Sequence, residues 1–196
     1  MDSFSVESDV LTLKNLDDDT IQTYYRNEKK QEQIKEHLDK TEVSSSENET
    51  ESEYTYLLDK VGVISAQTSK YIDEKNEELF SQTGAQIAVE VIDSTGDIEL
   101  SEYTENEFSR LGVGAAERNN GILLVLALNN DYEGKPVGDY YVGWGSGFSS
   151  SESDSISSIT NQNMEEDFSA GNYDSAVLNT FKSLDAYLED GYGINK

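Results

Sequence analysis

Asp59, Asn119, Asn120, Glu152 and Asp154 are carboxylates and amides beside segments that read as the ends of strands. Calcium and magnesium take six or more oxygen ligands from such groups. Gathered at one rim of an open α/β sheet, where crevices hold ligands, these five residues would form a divalent-cation site. Arg118 adjoins the Asn pair and is the basic residue nearest that rim, so it is the group there able to clamp a phosphate oxygen. A second reading stays open for each. Asp59 and the Asn pair also suit the caps of turns and helices, and Arg118 suits a solvated loop.

Other chemistries lack their residues. There is no cysteine, which excludes disulfides, thiolate zinc sites and cysteine nucleophiles. The single histidine, His37, lies in the N-terminal arm. Phosphate-ester hydrolysis would therefore need a metal, with Asp59 as ligand or base. Gly112-Val113-Gly114 and Gly143-Trp144-Gly145-Ser146-Gly147 match neither a dinucleotide fingerprint nor a P-loop, so no nucleotide cofactor is expected. Trp144, between two glycines, reads either as a partner contact or as a buried strand-end ring.

The charge narrows the partners. Forty acidic against 14 basic side chains give a net charge of −26. Nucleic acid and anionic membrane surfaces both need the opposite sign, and anionic substrates are repelled unless cations screen the site. No apolar run reaches the roughly 18–20 residues of a membrane span. The expectation is a soluble monomer or weak oligomer, with any membrane attachment supplied by an anchor that this chain does not contain.

The elements that would position these residues can be read from periodicity. Residues 1–53 form an acidic, partly helical arm, with a helix expected over about 21–40 behind Asp19-Thr20, and the polar run Thr41–Glu53 as linker. A globular domain is expected over 54–193. Ser65 caps a helix to about Ser81, stopped by Gly84. Gln86–Ile92 reads as a strand, 99–111 as a helix and Gly121–Leu128 as a central strand covered on both faces. After a turn of about ten residues, 139–144 returns as an antiparallel third strand. A serine-rich helix holds Ile156, Ile159 and Met164, and a final helix carries Tyr173, Val177, Phe181, Leu184 and Leu188 at helical spacing. The helical connection makes the first two strands parallel. The fold class is α/β: an α/β/α sandwich with a small mixed sheet and Rossmann-like layering.

A run of short motifs carries a family resemblance. In order they are Asp59-x-x-Gly62-x-Ile64-Ser65, Thr83-Gly84-Ala85-Gln86-Ile87-Ala88-Val89, Leu111-Gly112-Val113-Gly114, Asn120-Gly121-Ile122-Leu123-Leu124-Val125, Val142-Gly143-Trp144-Gly145 and Gly171-Asn172-Tyr173-Asp174. Over about residues 54–190 the chain resembles the TPM domain family. The resemblance implies a compact α/β/α domain outside the cytoplasm, often tethered to a membrane, with some members binding calcium and some acting as acid phosphatases. Asp59 matches the family's N-terminal aspartate. Asn119-Asn120-Gly121 stands where Asp-Asn-Gly is frequent, and Glu152 falls where a later aspartate would lie, so the acidic set is altered. The expected function is an extracytoplasmic, membrane-tethered accessory module that binds a protein partner in the cell envelope or a divalent cation, with little or no catalysis of its own. A metal-dependent acid phosphatase is the alternative.

Overall fold

The computed structural model describes strands over 3–7, 10–14 and 21–25 and the chain over 55–132 and 135–194. It divides into two compact units, Met1–Tyr54 and Thr55–Lys196. In the first, β1 (Ser3–Glu7), β2 (Val10–Lys14) and β3 (Ile21–Tyr25) form an antiparallel meander in which Val10 faces Tyr25 and Ser3 faces Lys14. This corrects the helix expected from residue 21. Ile21-Gln22-Thr23-Tyr24-Tyr25 is rich in β-branched and aromatic residues, which suit a pleated surface better than a helix. The rest of that helix and the linker Thr41–Glu53 lie outside the described residues.

The second unit is a four-stranded sheet in the order β4 (Leu57–Asp59), β5 (Gln86–Ile92), β6 (Gly121–Tyr132), β7 (Lys135–Trp144). β4, β5 and β6 run parallel, and β7 is antiparallel to β6. Its helices are α1 (Ala66–Thr83), α2 (Leu100–Leu111), α3 (Ser150–Ser169) and α4 (Tyr173–Tyr192). The mixed α/β architecture expected from periodicity is what the chain adopts. β4 went unread because three residues carry no period.

Local chemistry accounts for the boundaries. Ser65 accepts from the Thr68 N–H (3.2 Å), and Gly84 ends α1 in the left-handed region at φ 71°, where glycine bears no Cβ penalty. Ser149 and Glu152 form a reciprocal capping box at the start of α3. Gly121 has a further constraint, since a Cβ there would lie 2.1 Å from the Val113 carbonyl oxygen.

Alternation sorts the sheet into two cores. Ile87, Val89, Val91, Ile122, Leu124 and Leu126 face the larger one with residues of α1, α3 and α4. Ala88, Ile92, Leu123, Val125 and Ala127 face the smaller one with Leu100 of α2. Buried Asn76 of α1 ties the layers: it donates to the Ile72 and Ile87 carbonyls and accepts from the Ile87 N–H (2.7 Å).

Asn130, Asp131 and Pro136, expected in a turn between the second and third strands, are instead paired backbone, and Gly134 lies outside the described residues. β5 pairs with β6 only as far as Ile92–Ala127, whereas β6 and β7 stay paired out to Tyr132–Lys135 beyond an irregularity between Ala127 and Asn130. The result is a two-stranded arm projecting past the sheet. Its root is pinned by polar side chains. Asn129 donates to Asp93 (2.7 Å), and Asn130 Oδ1 accepts from the Thr95 N–H (2.9 Å) and from the hydroxyls of Ser94 and Thr95.

Candidate functional site

The residues expected to share one rim occupy two. Asp59 pairs with Val91 at the carboxyl ends of the parallel strands. Asn119 and Asn120 precede Gly121, which pairs with Gln86 at the amino ends, and Trp144 pairs with Ile122 on that side. Val91 lies five residues along β5 from Gln86. At about 3.3 Å per residue, that separates the two rims by roughly 17 Å. The expected convergence is therefore corrected.

Each residue has structural work where it stands. Asp59 accepts three backbone N–H groups, from Val61 (3.1 Å) and Gly62 (2.8 Å) on Oδ1 and from Ile64 (2.7 Å) on Oδ2. Asp174 of α4 continues the same fastening by accepting from the Ser65 N–H (2.7 Å). Asn119 adopts φ 47°, and its carbonyl accepts from Gly147. Asn120 donates to the Tyr192 hydroxyl (2.8 Å) and the Thr83 carbonyl (3.2 Å). Arg118 donates to that same carbonyl at the end of α1. Glu152 caps α3, and hydrogen bonds from the Ser149 hydroxyl and N–H hold its carboxyl below the usual range. Asp154 is exposed on α3, and Trp144 packs half-buried against the larger core. Among the described residues no three aspartate, glutamate or histidine side chains are grouped to hold a metal ion. The five expected ligands do not fit calcium or magnesium as one site.

A different cluster lies under α2. Glu90 projects from the middle of β5 into the smaller core face and is wholly buried. Lys60, just past β4, reaches Glu90 Oε1 at 2.6 Å from a side chain that is 53% exposed. The Tyr103 hydroxyl donates to the same oxygen (3.3 Å), while Oε2 is buried without a partner. Burial, then the Glu90 and Glu107 carboxylates, push the Tyr103 phenol upward, so it stays a proton donor at neutral pH. One helical turn or two along α2, Glu107 and Arg110 form a forked ion pair (2.9 and 3.1 Å). A proton donor, a carboxylate and an ammonium thus meet in an apolar setting. The only sequence signal for it was one charge inside the apolar run Ile87–Ile92.

The opposite edge of the sheet is a surface. Among the described strands β7 has one neighbour, β6. Tyr140 turns toward α3, where its hydroxyl donates to Glu165 (2.8 Å) and its ring meets Phe168 edge-on at 5.2 Å. The alternate residues show the other face, with Val137 46% and Tyr141 39% exposed.

The comparisons with known proteins agree with this architecture. The family model described as the TPM domain matches residues 57–187. The N-terminal domain of a protein from P. gingivalis, solved in solution, is similar at TM-score 0.57 and 23% identity, covering 70% of this chain and 84% of that one. The BA42 protein from the psychrophilic bacterium Bizionia argentinensis is similar at TM-score 0.52 and 19% identity, covering 68% and 86%. The N-terminal domain of a Corynebacterium glutamicum protein is similar at TM-score 0.51 and 16% identity, covering 75% and 87%. Curated protein sequences show no match.

Proposed function

The chain belongs to the TPM domain family, and from that premise we propose that it is an extracytoplasmic accessory module that binds a protein partner along β7. The observation that carries the reading is the ten-residue edge strand with Val137 and Tyr141 in solvent and a two-stranded arm beyond the sheet. An open edge offers unpaired backbone donors and acceptors to an extended segment, and alternate side chains select it. The occupant is a basic, extended peptide segment, because a chain of net charge −26 attracts cations and repels a second copy of itself. The extracytoplasmic setting rests on the family resemblance.

The probe is a ten-residue peptide alternating lysine and valine. Backbone amide exchange of the whole chain is measured with and without it. Slower exchange in 137–144, lost in the Val137→Lys, Tyr141→Lys double variant, is expected. Protection elsewhere, or none, overturns the docking edge. Protease treatment of intact cells tests the location separately. Degradation without lysis is expected, and full resistance overturns it.

A further inference from the structure

The Lys60–Glu90 contact is unusual for a structural ion pair. Taking a carboxylate out of water costs several kcal/mol, offset only by good pairing and by hydrogen bonds to its remaining lone pairs. Here one oxygen receives both donors and the other receives none. Two other buried polar side chains of this domain, Asn76 and Gln86, are better served. Asn76 makes three bonds, and Gln86 reaches Gly114 and Tyr56 through its two ends. The neutralising cation is also the solvent-accessible partner, since the Lys60 side chain is 53% exposed.

We propose that Glu90 is a receptor for a small guanidinium group, and that Lys60 is its tethered occupant, displaced when the ligand binds. A guanidinium presents two parallel N–H groups that match both carboxylate oxygens, including bare Oε2, whereas an ammonium is a point charge served by one. Tyr103, already bonded to Oε1, supplies an aromatic wall and a hydroxyl at the same carboxylate. The Glu107–Arg110 pair is internally neutral, so it leaves the approaching cation unopposed. The way in is the path that the Lys60 side chain already follows from solvent to a wholly buried acid. This inference is independent of the β7 edge, which lies at the other side of the sheet.

The test is calorimetric titration of the whole chain at constant ionic strength with methylguanidinium, and in a second arm with a blocked Gly-Arg-Gly peptide, each against tetramethylammonium as control. Lys60→Met, which empties the site, should bind at least tenfold tighter than wild type, with a shift of the Tyr103 ring resonances. Glu90→Gln should abolish binding. Preference for the free ion identifies a small-molecule ligand, and preference for the peptide identifies an arginine on a docked chain. No binding by folded Lys60→Met, or binding unchanged in Glu90→Gln, overturns the proposal. Should Lys60→Met not fold, wild type against isosteric Glu90→Gln decides, and equal heats there overturn it.

Discussion

Carboxylates in this domain divide by what meets them. Asp59 meets three N–H groups, so removing it strips the β4–α1 turn of its acceptor. Asp59→Ala should cost about 1–3 kcal/mol in urea denaturation, to the same extent in calcium and in chelator. Asp185 of α4 meets the reverse situation. It is buried, Oδ1 has no partner, and burial followed by the nearby Glu189 carboxylate raises its pKa to about 6, with Lys75 opposing and Glu78 adding. A folded-state pKa above the unfolded value means that the folded chain holds the extra proton. This contribution to stability is therefore full below about pH 4 and is lost as pH rises through about 6. Asp185→Asn should remove that loss, leaving the variant more stable than wild type above pH 6 by up to about 3 kcal/mol, read from urea midpoints across pH. Caps such as Ser65 and Ser149 were legible because donor and acceptor lie within one turn. Glu90 was not, because its partners stand 30 and 13 residues away.

At the level of elements, periodicity found every helix of the second unit and its three longer strands. It missed β4, and with β4 the direction of Asp59. In a parallel sheet, residues that precede strands and residues that follow them go to opposite rims. With β4 unread, nothing in the sequence assigned Asp59 to the second group, and the expected cation site followed from that gap. The β6–β7 arm was hidden by the turn-forming residues Asn129, Asn130, Gly134 and Pro136. Bonds that join the two asparagine side chains to Asp93, Ser94 and Thr95 overrode the turn preference of Asn129 and Asn130. A two-stranded ribbon is marginal alone in water. Asn130→Ala should therefore speed amide exchange in the arm by about tenfold while shifting the melting temperature little, since roughly 1 kcal/mol per net hydrogen bond falls on the root alone.

For the whole molecule, the net charge of −26 opposes compaction. Raising sodium chloride from about 0.01 to about 0.3 M shortens the screening length several-fold and should raise the melting temperature. Calcium should add no more than magnesium at the same concentration, because the acidic residues at the motif positions do not form one site. A saturable effect of calcium alone, removed by Asp59→Ala, would contradict that. The family and its layered fold were legible along most of the second unit, since motif order survives substitution. The location of ligand chemistry was not, because it depends on which strands neighbour each other.

The bond between Ser65 and Asp174 spans 109 positions of the chain. A nascent polypeptide emerging from the ribosome can build α1 and the first parallel strands, yet it cannot latch the front of α1 until α4 has been translated. Completion of the domain is thus deferred to the end of its synthesis, and a prematurely terminated product would leave that entrance ajar for quality-control proteases.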